Sequence, residues 1–202
     1  MHDYSVDSNE RRIVPFLLAA LAILSAWALS RFLAGLHLSA PWWVDAPSSM
    51  GFYGTFYALF DKHLWRIRLI RRLGLVKVPD LEGRWLGSLT SSFDDHAKHR
   101  RLEVHIFQTW TQIVIVVKTA DSRSRSCVAA IRVAEPDGPA LIYQYENEPQ
   151  ASAVKALHIH YGSAMLQLSD ESLLSGDYYA GRDRWTNGRI SCRRQPSTAS
   201  AA

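Results

Sequence analysis

Three tyrosines and an arginine carry the side chains in this sequence best suited to holding a ligand: Tyr143, Tyr145, Tyr178 and Arg182. Successive side chains of an extended segment alternate between two faces. Leu141, Tyr143, Tyr145 and Asn147 therefore share one face of ALIYQYEN, and Tyr178, Ala180, Arg182 and Arg184 share one face of SGDYYAGRDR. Tyrosine rings stack on planar bases, at about 1–3 kcal/mol per base on single strands. An arginine fork bonds a phosphate at two points at once. Together these residue types suit a pocket for a nucleotide-sized anion. The same tyrosines serve equally well as filler inside a β-structure with Arg182 as a rim charge, because a one-residue slip in register exchanges the two faces.

Signatures of catalysis are missing. The chain has no Gly-x-x-x-x-Gly-Lys loop, no His-Glu-x-x-His and no Gly-x-Ser-x-Gly elbow. His158 and His160 share a strand face, but His96, His99 and His105 form no recognisable second half of a zinc site. Hydrogen-bonded or solvated histidines are expected instead. Asp94-Asp95 and Asp170-Glu171 fall in turn clusters, where acidic side chains serve local backbone bonding. The chain is read as a non-enzyme without metal or cofactor. Cys127 and Cys192 are too few for a disulfide framework and fit free thiols in a reducing compartment.

The front of the chain must lie in lipid. Between Arg12 and Arg31 run 18 uncharged residues, about 27 Å of helix against a hydrocarbon core of about 30 Å. Pro15 is expected in the first turn, where a missing N–H costs little. A cleaved secretory signal fits less well, because the apolar run is long and Asp3, Asp7 and Glu10 precede it. A second uncharged run, Ala46 to Phe60, must continue past Asp61 to about Trp65 to span. Its alternative is an amphipathic helix lying on the surface. The expected order is a tail over 1–12, two transmembrane helices within 13–68 (about 13–31 and 46–66) and a basic linker over 69–79.

Charge sets the orientation. Residues 1–79 carry 9 basic and 5 acidic side chains, whereas residues 80–202 carry 14 of each. Arg11 and Arg12 precede the first span, and Lys62, Arg66, Arg68, Arg71, Arg72 and Lys77 follow the second. By the positive-inside bias both termini face the cytoplasm. The basic run suits anionic lipid headgroups, and the neutral C-terminal part argues against a DNA or RNA polymer as partner.

After Pro79 the texture becomes all-β. Candidate strands cover 83–91, 101–109, 112–119, 126–134, 140–147, 154–162, 164–169, 172–182 and 188–194, with Asp137-Gly138 and Asn187-Gly188 as tight-turn pairs. The expected fold over 80–194 is a small antiparallel up-and-down β-barrel of about eight strands, whose closure removes exposed edges. A disordered tail over 195–202 completes the chain. Gly83-Arg84-Trp85 resembles the Gly-x-Trp of lipocalin-type barrels, in which a Trp plugs one end and stacks on an Arg from the last strand. Arg193 or Arg194 would supply that partner, and Gly83, Trp85 and Arg193 form the expected closure set.

With its basic-flanked hairpin, Gly83-Arg84-Trp85, LIYQYEN (141–147) and GDYYAGRDRWTNGR (176–189), the chain resembles the two-transmembrane β-barrel effectors of CBASS, the cyclic-oligonucleotide antiphage defence. The resemblance implies a bacterial inner-membrane protein whose cytoplasmic barrel binds a cyclic dinucleotide made by a partner nucleotidyltransferase. It also implies that binding drives homo-oligomerisation, and that clustered hairpins disrupt the membrane in an abortive infection. Tyr143, Tyr145, Tyr178 and Arg182 are the ligand candidates within that frame. Two other readings stay open: a membrane-anchored lipocalin-like carrier of a lipid or hydrophobic metabolite, and an anchor whose filled barrel binds a protein.

Overall fold

In the computed structural model the alternating segments after Pro79 close on themselves. Residues 1–37, 42–150, 159–181 and 185–196 are described, without the side chains of 42–47. The chain divides into two units, Met1–Asp7 with Val78–Ala202, and Ser8–Lys77.

The first unit is a closed barrel. Its strands are β1 (His2–Val6), β2 (Gly83–Leu89), β3 (Arg100–Gln108), β4 (Gln112–Lys118), β5 (Ser122–Arg132), β6 (Ala140–Pro149), β7 (His160–Ser169), β8 (Leu173–Ala180) and β9 (Asn187–Arg194). Around the wall they run β1-β4-β3-β2-β9-β8-β7-β6-β5. From β2 to β9 this is an up-and-down meander, sealed where Leu86 pairs with Arg193 and Ser88 with Ser191. The barrel therefore has nine strands rather than about eight. Residues 154–158 lie outside the described residues; the rest of the segments expected as separate strands over 154–162 and 164–169 form one strand from His160, because Gly162 and Ser163 stay in the ladder opposite Tyr145 and Gln144.

The ninth strand comes from residues expected in the N-terminal tail. At one end β4 and β5 pair directly, Val116–Lys118 against Arg123–Arg125. Cys127 then bulges out of β5, the two strands separate, and β1 fills the gap. His2 and Asp3 run antiparallel to Ile113 and Gln112, while Tyr4–Val6 run parallel to Ala129–Ile131. The pentapeptide HDYSV is short and polar, so its strand state is set by this slot rather than by its own propensity. Buried Ser126 marks the junction: its hydroxyl accepts from the Ile115 amide at 2.9 Å and lies 2.8 Å from His2 Nε2.

One end of the barrel is plugged. Trp85 is fully buried and its indole N–H donates to the Leu81 carbonyl at 3.0 Å. The Arg194 guanidinium sits 5.7 Å from the centre of that ring. It donates to the carbonyls of Asp80 (3.1 Å) and Glu82 and lies 3.6 Å from the Asp80 carboxylate. The lipocalin-like closure is thus present, with Arg194 in place of Arg193: alternation along β9 turns Cys192 inward and leaves Arg193 exposed. Gly83, at φ +133°, adopts a backbone conformation beneath Arg194 that any side chain would strain. Buried Gln108 ties two entering segments together, accepting from the Leu81 amide at 2.7 Å and donating to the Pro79 carbonyl and the Tyr4 hydroxyl.

The second unit holds α1 (Glu10–Gly35), α2 (Trp42–Lys62) and the short α3 (Arg68–Arg72). Helix α1 begins at Glu10, so Pro15 lies one turn further in than the sequence suggests, and it runs past Arg31 to Gly35. With α2 starting at Trp42, only residues 36–41 join the two helices. Val14, Leu18, Ala22 and Ala26 form a buried stripe at four-residue spacing on α1, which packs on α2. The other faces of α1 expose Phe16, Ile23, Leu24, Trp27 and Phe32, as a lipid-facing helix does. Ser25 and Thr55 donate to the carbonyls of Leu21 and Gly51, which satisfies their hydroxyls within the helix. Among the described residues α1 is the one helix long and apolar enough to cross a membrane by length and composition. The unit closes on itself: the Glu10 carboxylate accepts from the Lys77 amide at 2.7 Å.

Candidate functional site

Among the described residues, the end of the barrel opposite Trp85 is open. Below it the interior is filled by Leu102, Val104, Ile106, Ile115, Leu141, Leu166 and Leu174, all buried. Above them lies a cavity of about 770 Å3, the open space at its mouth included.

Strand β6 supplies the floor and one side. Its alternation points Leu141, Tyr143 and Tyr145 inward, Tyr143 being the more buried of the two tyrosines at 2% exposed. Tyr143, Tyr145 and Asn147 line the cavity, and the rings of the two tyrosines are 6.0 Å apart and tilted by 51°. Tyr178 and Ala180 enter from β8. The structure thus brings together three of the four side chains singled out from sequence. Arg182 and Arg184 lie outside the described residues.

Two glycines make room for the rings. A Cβ at Gly162 would overlap the Tyr145 ring and the Tyr179 carbonyl, and one at Gly188 would run into the Thr90 carbonyl and the Tyr178 ring. Each tyrosine faces the glycine paired with it across the ladder, Tyr145 with Gly162 and Tyr178 with Gly188. A bare backbone lets the ring lean over its neighbour and keep its edge towards the cavity.

The remaining lining is mixed, with apolar Leu89, Val117 and Ile190 set among polar side chains. Ser91, Arg100, Thr119, Asp121, Ser122 and Ser124 line the cavity, as do His160 and Thr186. The Arg100 guanidinium is held by the Asp94 carboxylate at 3.0 Å. Asn147 Nδ2 lies 3.4 Å from His160 Nε2, while Asn147 Oδ1 is buried with no hydrogen-bond partner among the described residues. A buried acceptor in that state is a ready contact for a donor on a bound molecule. Burial, and then the neighbouring Tyr145 and Cys192, push the Tyr143 hydroxyl far above the ordinary phenol range. Burial pushes the Cys192 thiol up to about 12. Both stay neutral, so the floor offers apolar surface and neutral hydroxyls rather than a nucleophile.

Sequence reasoning missed Arg100, Ser124, His160 as a cavity residue and Thr186. His160 carried a signal, since it continues the inward period of β7. Arg100 and Ser124 carried none, because which strands face each other around a barrel is not written in any one strand.

Comparison with known proteins adds family evidence. The family model described as "Cap15, cyclic dinucleotide receptor domain" matches residues 76–194, and that described as "Cap15, TM helices" matches residues 12–66. The CD-NTase-associated protein 15 of Yersinia aleksiciae is 30% identical over 195 residues, 90% of this chain and 88% of that protein. The protein of the same name from Escherichia albertii is 25% identical over 133 residues, 65% of this chain and 68% of that one.

Proposed function

This chain belongs to the Cap15 family, and we propose from that premise that it is a membrane effector of CBASS antiphage immunity whose open barrel mouth binds a cyclic dinucleotide. The carrying observation is the mouth itself: Tyr143, Tyr145 and Tyr178 around one cavity, closed below and edged with hydroxyls, Asn147 and Arg100. The rings stack on bases, and the polar edge receives base edges and phosphates. An anionic second messenger made by a partner nucleotidyltransferase fits this lining. A carrier of lipid fits it poorly, since the apolar half of the lumen is already occupied by side chains.

Binding favours an associated form, and association of the membrane hairpins breaches the inner membrane. The ligand must prefer the assembled state, since equal affinity for both forms shifts nothing. Two structural facts support a two-pass hairpin with both termini on the cytoplasmic side. Residues 2–6 and 83–194 build a single barrel, so the segment between them must leave and return on one side of the bilayer. Glu10 and Lys77, near the start and at the end of that segment, are hydrogen-bonded to each other. If α1 crosses once, α2 makes the return, despite Asp45 and Asp61.

The test is ligand binding by full-length protein in detergent micelles. Cyclic di-AMP, cyclic di-GMP and cyclic GMP–AMP are titrated against the wild type and Tyr145→Ala and Tyr178→Ala. Binding of one of them, weakened about tenfold or more in each variant, is expected from the cost of removing one stacked ring. No raised melting temperature with any of the three would overturn the proposal, because a ligand selective for the native state must stabilise it.

A further inference from the structure

The ninth strand differs from its neighbours. Strand β1 makes five residue pairings, two with β4 and three with β5, whereas β6 pairs along ten residues with β5. Of its side chains only Tyr4 is buried. The mouth end of the β4–β5 seam is zipped without it. What β1 covers, however, cannot stay empty. Its withdrawal would leave two strand edges open and strip Tyr4 from Gln108 and the Trp110 carbonyl, to which its hydroxyl donates at 2.9 Å. The slot between β4 and β5 is therefore a strand-acceptor site written for one sequence, His2-Asp3-Tyr4-Ser5-Val6.

Every copy of the chain carries that sequence, joined to α1 by a short hinge: Asp7, which clamps the Val133 amide at 2.7 Å, then Ser8 and Asn9. Short hinges next to an exchangeable element invite swapping. Exchanging an identical element costs little, because every interaction given up in one barrel is re-formed in its neighbour. We propose that the β4/β5 slot is an interface between copies: on assembly the N-terminal strand of one chain leaves its own barrel and occupies the slot of its neighbour. The partner is a second copy of this chain, and the recognition chemistry is strand addition with Tyr4 as the side-chain anchor. This rests on the reading that ligand drives self-association, and it names the surface through which association occurs.

Ser5 pairs with Ala130 across the slot, and Ser5 is exposed. Two full-length chains carrying different tags, Ser5→Cys in one and Ala130→Cys in the other, both with Cys127→Ser, are co-expressed and extracted in detergent. They are oxidised with and without cyclic di-AMP, cyclic di-GMP or cyclic GMP–AMP, and particle size is measured in parallel. The expected result is a disulfide between the two tagged chains, rising about tenfold with ligand, which corresponds to about 1.4 kcal/mol of ligand preference for the exchanged form. A second arm places both cysteines in one chain. The resulting intrachain disulfide locks β1 at home; ligand still binds, assembly is abolished, and reduction restores it. Assembly without the interchain disulfide, or undiminished assembly of the locked chain, overturns the exchange and leaves the ligand-driven association standing. No assembly with any of the three ligands overturns both.

Discussion

Tyr145 occupies the space that a side chain on Gly162 would need. The two residues are cross-strand partners in β6 and β7, and a Cβ at 162 would meet the Tyr145 ring and the Tyr179 carbonyl. The glycine thus sets the position of a cavity side chain, although it does not line the cavity itself. Gly162→Ala is expected to push Tyr145 off its position and to weaken cyclic dinucleotide binding more than it lowers stability, with about 1–3 kcal/mol of overpacking cost. Calorimetric titration alongside a thermal melt separates the two effects. Unchanged affinity with a lowered melting temperature would mean that Tyr145 does not meet the ligand.

Asn147 offers the converse case. Its Oδ1 is buried with no partner among the described residues, so Asn147→Leu removes an unsatisfied acceptor. The folded protein should lose little, since relief of the buried Oδ1 offsets the loss of the 3.4 Å contact between Nδ2 and His160 Nε2. Ligand affinity is expected to fall about two- to tenfold, for a net hydrogen bond of about 0.5–1.5 kcal/mol. A variant that binds normally would show that the ligand never approaches this edge.

The unequal legibility of these parts has a physical basis. The face bearing Leu141, Tyr143, Tyr145 and Asn147 follows from the two-residue period of a strand, and the barrel follows from the density of such strands. Choosing between Arg193 and Arg194 needs the phase of β9, and one residue reverses it. Arg100 and Ser124 reach the mouth through pairings around the wall, which a single strand does not encode. Strand β1 was the least legible. HDYSV alternates over only five residues and holds a single β-branched side chain, and it becomes a strand because β4 and β5 part at the Cys127 bulge and leave donors and acceptors open.

At the plugged end Arg194 does two jobs. It stacks on Trp85 and satisfies the carbonyls of Asp80 and Glu82. Arg194→Ala should destabilise the barrel by about 2–3 kcal/mol, since it leaves those carbonyls without their charged donor. Arg193→Ala, on the exposed neighbour, should stay within about 0.5 kcal/mol of wild type. Denaturant melts of the two variants check this. Equal losses would mean that closure does not depend on which arginine faces Trp85.

The alkaline limb of stability should report the buried floor. Burial raises the folded-state pKa of Cys192 from 9.0 to about 12, and burial, then Tyr145 and Cys192, raise that of Tyr143 above its usual 10.0. Both groups are neutral when protonated, so between the unfolded and folded values the native state holds more protons than the unfolded one. Their contribution is complete below about pH 9 and is lost as pH climbs towards 12. The melting temperature should therefore fall from pH 9 upward. Cys192→Ala should flatten the beginning of that fall and Tyr143→Phe its later part. Melts at half-unit steps from pH 7 to 11 for the three proteins provide the comparison. Parallel curves would mean that neither group is desolvated, and the floor of the mouth would then be open to water.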